Sequence, residues 1–178
     1  MTEPEWHIRQ GNPGDRELLR SFACANSSAT WQCEVERYIQ VQLIDWAFDP
    51  HAAEADPRLL LGFSTSGELF GVAAHEKVRL REGNGAVVHA TKIEVVALAP
   101  KWQGRSFSEG SRISDVLMSA LLADISARIP PRNARVYAIV HEDNHRSIAL
   151  CRRHGLTEEM TRPDASYRRL VTPRAQSS

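Results

Sequence analysis

Two hydrophobic periodicities run along this chain, one near two residues and one near 3.6, and they predict its elements in order. Glu5 to Gln10 reads as a short first strand, and Asp15 is placed to cap a helix through Phe22. From Ser28 to Phe48 the apolar residues Trp31, Val35, Ile39 and Trp46 recur near helical spacing, which predicts a second helix. His51 to Pro57 is a loop rich in Ala and Asp, with Pro57 barring any helical continuation. Arg58 to Phe63 and Glu68 to Leu80 then read as strands around a Ser-Thr-Ser-Gly turn. A turn at Glu82-Gly83-Asn84-Gly85 follows, then a long strand from Ala86 to Ala99 that Pro100 ends.

The second half alternates helix and strand. A helix is predicted from about Arg112 to Ile129, stopped by Pro130-Pro131. Val136 to Val140 is a strand, Asn144 to His154 its helix, and Ala165 to Val171 a last strand before a frayed tail at 172–178. Two helices, a three-strand meander, then strand and helix in turn make a mixed α/β (α+β) sheet. No repeat or linker divides the chain, so residues 1–171 are expected to form one domain.

Composition narrows the class. A chain of 178 residues with 42% hydrophobic content has enough apolar material for one sizeable core. Lys and Arg number 22 and Asp and Glu 22, so no global charge argues for nucleic acid or an anionic membrane. No apolar run is long enough to span a bilayer, and Met1-Thr2-Glu3-Pro4-Glu5 is acidic, unlike a signal peptide. Cys24, Cys33 and Cys151 are odd in number and lack C-x-x-C spacing, which suits a free-thiol, cytoplasmic protein.

The segment Val136 to Leu156 is the most informative. Its β-branched run ends in a polar corner, His141-Glu142-Asp143-Asn144, followed by an amphipathic helix that Gly155 is placed to stop. The order strand, Asn144, Ser147, Ile-Ala-Leu, a basic pair and His-Gly-Leu resembles the second conserved block of the GNAT superfamily of acyl-CoA-dependent N-acyltransferases. The order of elements is similar to a complete GNAT domain, so the likeness covers nearly the whole chain. It implies a mixed, mostly antiparallel central sheet flanked by helices, acetyl-CoA as acyl-donor cosubstrate, and no metal.

In that family a strand ending in Pro leads to a Gln/Arg-x-x-Gly-x-Gly/Ala loop and a helix whose N-terminus holds the CoA pyrophosphate. Here Val95 to Pro100, then Gln103, Gly104 and Arg105, match the opening. Matching the helix as well, with Ile113, Leu117 and Leu121 buried, leaves a loop about six residues longer than usual. That alignment puts Arg112 and Ser114 at glycine positions. An ungapped match would put Ser106 and Ser108 there, but then Gly110 falls inside the helix, so the gapped version is preferred. Lys101, Arg105 and Arg112 would supply charge, while the backbone amides near Val96 and Leu98 would hold the pantetheine and thioester carbonyl. Asn144 would order the turn beside the cofactor.

Acyl transfer to an amine needs a base for the amine and an acid for the departing thiolate. Glu94, in the otherwise apolar Ile93-Glu94-Val95-Val96, is the leading base, since several family members carry a carboxylate on that strand. The alternative is a cross-strand ion pair with Lys77 or Arg79. Family members often place an acidic Tyr where this chain has Cys151, four residues before Gly155. A thiol of ordinary pKa, about 8.5, could donate a proton, though Cys on an apolar face is commonly core filler. Tyr137 and Tyr167 are reserve donors.

Other signals weigh less. His141 to His145 spells H-E-x-x-H, but a strand–corner–helix context breaks the single helical face that zinc needs, so both histidines are expected to be exposed polar residues, with facing the acceptor as the alternative. Trp31, Tyr38, Trp46 and Phe48 read as core at helical spacing, with a wall of the acceptor groove as the alternative. The arginines at 146, 152, 153, 162, 168, 169 and 174 read as a solvated basic face, with an RNA acceptor or the 3′-phosphate of CoA as the alternatives. The resemblance implies transfer of acetyl to a primary amine by direct attack in a ternary complex. A small-molecule acceptor ranks ahead of protein, peptide or aminoacyl-tRNA, and a homodimer is open because many members dimerise. A non-catalytic acyl-CoA-binding or protein-interaction domain stays open, given the altered loop and Cys151.

Overall fold

The computed structural model describes residues 6–49, 51–52, 54–81, 85–128, 135–159, 164 and 166–173. Strand β1 (Trp6–Gln10) enters a 3-10 turn at Pro13–Asp15 and helix α1 (Arg16–Arg20). Asn12, not Asp15, caps this entry. The Asn12 side chain accepts from the Gly14 N–H at 2.9 Å, while the Asp15 carboxylate accepts from the Asn12 N–H at 2.8 Å. Arg9 holds that carboxylate from the other side at 2.6 and 2.8 Å, and the helix ends at Arg20 rather than Phe22.

The predicted second helix forms, but with a change of pitch. Helix α2 (Thr30–Arg37) widens into one π-turn, Tyr38–Gln42, and resumes as α3 (Leu43–Ala47). The Leu43 N–H bonds the Tyr38 carbonyl five residues back. One extra residue in the turn brings Ile39, Leu43 and Ile44 onto the buried face together.

Strands β2 (Arg58–Ser64), β3 (Leu69–Arg81) and β4 (Val87–Leu98) form the antiparallel meander. Helix α4 (Ile113–Arg128) and strand β5 (Arg135–His141) follow, then helix α5 (His145–Arg153), β6 (Thr157–Glu158) and β7 (Tyr167–Val171). The sheet order is β1-β2-β3-β4-β5-β7-β6, antiparallel except for the parallel pair β4–β5. The two-residue β6 is an element the hydrophobic pattern does not predict. Beyond β7, the Thr172 N–H donates to the Val136 carbonyl at 2.9 Å, and the Val136 N–H donates to the Thr172 hydroxyl at 3.0 Å. Most of the turn expected at 82–85, the Pro130-Pro131 stop and residues 174–178 lie outside the described residues.

Helices cover both faces. On one, Ile113, Leu117, Leu121 and Ile125 of α4, with Ile148 and Cys151 of α5, pack on Phe70, Ala73, Ile93 and Leu98. On the other, Leu19, Ile39, Leu43 and Ile44 pack on Leu59, Leu61, Val72, Val95 and Ala97. This arrangement is the mixed, mostly antiparallel sheet expected. Among the described residues no helix is long and apolar enough to cross a membrane.

Candidate active site

The site begins with a break in the sheet. Parallel pairing of β4 with β5 runs only from Ala90–Arg135 to Ile93–Ala138. Beyond Ile93, β5 stays with β7 as far as His141, while β4 stays with β3 as far as Leu98. The two strands therefore diverge, and a cavity of about 290 Å³ opens between them. Trp31, Glu34 and Tyr38 wall it on the side of α2, and Met118, Leu150 and Cys151 on the side of α4 and α5.

Backbone alternation decides what the β4 edge presents. Ala99 donates its N–H to Phe70 on the β3 side. Peptide groups two residues apart point the same way, so the N–H groups of Val96 and Leu98 point to the opposite, open edge. In agreement, the Leu98 carbonyl accepts at 2.9 Å from the Gln103 side chain rather than from β3.

Glu94 sits at an irregularity that sequence alone does not reveal. Ala74 pairs with Val95 and His75 with Ile93, so the register steps over Glu94 as the extra residue of a β-bulge. Its side chain is only 8% exposed and lines the cavity. The ion pair expected across the strands is instead along its own strand, with Lys92 Nζ 2.8 Å from Oε1. Lys77 is engaged by Asp56 at 2.9 Å. The Tyr38 hydroxyl donates to Glu94 Oε2 at 3.2 Å. Burial, reinforced by Glu94, pushes the Tyr38 phenol well above its ordinary value and keeps it a donor. Glu76 on β3 faces the same group. Burial pushes its carboxyl up, Trp46 Nε1 donating at 2.8 Å opposes this, and proximity to Glu94 raises it again. Burial works against the Lys92 ammonium, yet Glu94, Tyr137 and Glu76 outweigh it and lift its pKa.

The loop after β4 departs from expectation in detail. Helix α4 starts at Ile113, and Gly110 lies outside it at φ +93°, as the gapped alignment requires. The additional residues form a small hairpin: Ser106 bridges Arg112, and Phe107 bonds Ser111 backbone to backbone at 2.9 Å. Phe107 anchors it, stacked on Trp6 at 5.9 Å and edge-on to Phe70 at 5.6 Å. The excursion closes where the Ile113 N–H donates to the Arg105 carbonyl at 3.1 Å, so Arg105 adjoins the helix start. Asp115 and Val116 both donate to the Arg112 carbonyl, which makes Arg112 the cap and puts Ser114 in the first turn. Lys101 does not join this group. Its ammonium is drawn to Glu68. Gln103 is a clamp, donating to the carbonyls of Cys24 at 2.7 Å and Leu98 at 2.9 Å. Its carboxamide oxygen accepts from Arg146 Nη1 at 3.5 Å, bringing an α5 arginine to the same loop.

At the far end, Asn144 accepts from the Ser147 N–H at 3.1 Å as the cap of α5, and both residues line the cavity. Gly155 stops the helix at φ +82°, as expected. Cys151 lies on the cavity floor, and burial pushes its thiol up to about 11. Tyr167 lines the cavity, whereas Tyr137 packs with Leu80, Ala90 and Val171 in a separate cluster. His141 is not simply exposed: it stacks on Trp31 at 5.8 Å and meets Tyr167 edge-on at 5.2 Å. Tyr38, Trp46 and Phe48 pack on the core while staying partly exposed, and Trp31 faces the cavity. Among the described residues no group of His, Cys, Asp and Glu is placed to hold a metal.

Comparison with solved structures decides the fold. The PaiA N-acetyltransferase of Thermoplasma acidophilum, solved in complex with coenzyme A, superposes with a TM-score of 0.67 over 94% of this chain and 98% of its own, at 15% identity. The fold is that of the GNAT acetyltransferases. A GNAT-family acetyltransferase of Streptococcus pneumoniae agrees, with a TM-score of 0.59 over 96% and 100% of the two chains at 14% identity. A spermidine N-acetyltransferase SpeG chimera from Vibrio cholerae gives 0.59 over 95% of each chain at 16% identity. No family model and no curated protein matches the sequence itself. Glu76 and Lys92 are members of the candidate site that sequence reasoning did not name, while Tyr38 and Arg146 were named there as helix core or groove wall and as part of a basic run. The π-turn and the bulge bring Tyr38, Glu76 and Lys92 together around Glu94.

Proposed function

We propose that this chain is an N-acetyltransferase that moves an acetyl group from acetyl-CoA to the primary amine of a small molecule in a ternary complex. The observation that carries this reading is the buried Glu94 carboxylate at the point where β4 and β5 part, beside an open strand edge. The residues present fit the cosubstrate. The outward N–H groups of Val96 and Leu98 suit the pantetheine arm and thioester carbonyl. Arg105, Arg112, Ser114 and the backbone at Gly104 suit the pyrophosphate, with Arg146 replacing the charge that Lys101 gives to Glu68. Gln103 contributes by holding the loop against Leu98 rather than by touching phosphate.

Acetyl-CoA supplies the acetyl group as a thioester, whose C–S bond is exchanged for a C–N bond to the amine while CoA leaves as the thiol. Glu94 takes the ammonium proton, directly or through one water, and Tyr38 and Lys92 stabilise its charge between turnovers. Cys151 is a weak candidate acid, since a thiol held near 11 keeps its proton more tightly than a CoA thiol of ordinary acidity would. Holding the amine against the thioester supplies much of the rate.

Thermal unfolding with acetyl-CoA, then acetyl transfer by wild type and Glu94→Gln, tests the reading. Acetyl-CoA at a hundredfold excess over Kd stabilises the chain by about 2.7 kcal/mol. Glu94→Gln keeps that shift and lowers kcat by roughly 10² to 10⁴. A shift without turnover on any amine would make the chain a non-catalytic acyl-CoA-binding domain. No shift up to millimolar ligand would remove the cofactor reading altogether.

A further inference from the structure

Glu34, one helical turn before Tyr38, faces the same cavity and has no part in the chemistry above. Tyr167 lines the same cavity, and burial, then the nearby Glu34 carboxylate, raises its phenol above the ordinary value. Trp31 and His141 stack beside it, so one end of the cavity is a carboxylate set among aromatic rings. The His141 Nδ1 accepts from the Asp143 N–H at 3.2 Å, which turns Nε2 away from that backbone bond. Among the described residues the cavity lining holds two carboxylates, Glu34 and Glu94, and no Lys or Arg. Lys92 neutralises Glu94 from its own strand, and no corresponding ammonium or guanidinium lines the wall at Glu34.

Resting on the acetyltransferase reading, we propose that Glu34, with Trp31 and Tyr167, is a subsite for a second cation, so the acceptor is an aliphatic diamine. Carboxylate and aromatic faces both attract an ammonium, and neither suits the carboxylate of an amino-acid acceptor. Glu34 and Tyr38 are four residues apart on one helix, a rise of roughly 6 Å, and Tyr38 donates to Glu94 at the other end. A four-carbon diamine, whose nitrogens are separated by a similar length when extended, is therefore the first probe. The dication loses one proton at Glu94 and keeps the other at Glu34. The nitrogen freed of its proton forms the amide bond, CoA leaves as thiol, and the product is a monocation no longer held at both ends.

The probes are 1,4-diaminobutane, butylamine and the amino acid norvaline, with wild type, Glu34→Gln and Tyr167→Phe. Two readouts are used: acetyl transfer, and calorimetric binding of each amine in the presence of CoA. The expected result is a diamine preference over butylamine of roughly tenfold to a hundredfold, as a hydrogen-bonded charge supplies. Glu34→Gln reduces that ratio by tenfold or more, Tyr167→Phe reduces it by less, and norvaline is the poorest probe. Equal use of diamine and butylamine, or a ratio untouched by Glu34→Gln, overturns the subsite while leaving the acetyltransferase standing. Diamine binding that depends on Glu34 without any transfer upholds the subsite and removes the acetyltransferase. Far-ultraviolet circular dichroism of each variant separates loss of the subsite from loss of the fold. Glu34 is exposed at the helix surface, which makes its substitution mild.

Discussion

The phenol of Tyr38 donates to the carboxylate of Glu94 across 3.2 Å, joining the π-turn of the helical layer to the bulge of the central strand. Each irregularity alone would cost regular hydrogen bonds. Together they place a donor against a buried acid. A bond to a charged group contributes about 1.5–3 kcal/mol. Tyr38→Phe is therefore expected to lower kcat by roughly tenfold with acetyl-CoA affinity retained, as steady-state kinetics would show. An equal loss of acetyl-CoA affinity would instead place Tyr38 on the cofactor.

Cys151 separates a core role from a chemical one. Its thiol is buried against α4 and the sheet, and its proton is held tightly. Cys151→Ala should keep kcat within about threefold and cost about 1 kcal/mol of stability, as small core truncations do. A hundredfold fall in kcat in a variant that still unfolds cooperatively would assign the thiol to the leaving group.

Phe107 ties the hairpin 106–112 to Trp6, Phe70 and Trp102. Phe107→Ala should destabilise the chain by about 3–5 kcal/mol in urea unfolding. The same change frees the segment that brings Arg105 to the start of α4, so acetyl-CoA should also bind more weakly. A stability loss with unchanged acetyl-CoA binding would detach the hairpin from the cofactor site.

Asp124 of α4 joins two elements of the sheet, accepting from Arg58 at 3.0 and 3.2 Å and lying 2.8 Å from His75 Nε2. Burial holds His75 below its ordinary value, and Asp124 opposes this only in part. Among the described residues the buried Nδ1 of His75 has no hydrogen-bond partner, so a proton there would find no acceptor among them. Below about pH 6.5 the unfolded chain takes up that proton more readily than the folded one, and stability falls as pH falls. Asp124 adds a second loss at lower pH. Burial would raise it, but Arg58 and His75 outweigh burial and hold it below the usual carboxylate range, so its contribution disappears as it protonates. Melting temperatures from pH 8 to pH 3 should show both steps, and His75→Gln should flatten the first. An identical slope in that variant would place the pH sensitivity elsewhere.

Much of the fold was legible along the chain. The start of β2 at Arg58, the end of β4 before Pro100, the stop of α5 at Gly155 and the buried positions Ile113, Leu117 and Leu121 follow from breakers and periodicity that act over a few residues. Expectations failed where a distant partner intervened. Asp15 yields the cap to Asn12 because Arg9 claims its carboxylate. Lys101 turns from the loop to Glu68, and His141 is gathered in by Trp31 and Tyr167. No local pattern announces such contacts, because side chains far apart in sequence compete for the same charge or ring face.

The sequence by itself determined the order of elements, the two apolar faces of the sheet, the place of Glu94 within β4 and that of Asn144 at the corner between β5 and α5. Tertiary structure alone decided that β4 and β5 part after Ile93, that the register skips Glu94, and that Glu34, Tyr38 and Tyr167 meet across one cavity. The physical reason is range. Periodicity and capping are set by neighbours within a turn or a pleat, whereas a bulge, a splayed strand pair and a shared carboxylate exist only once separate layers have packed.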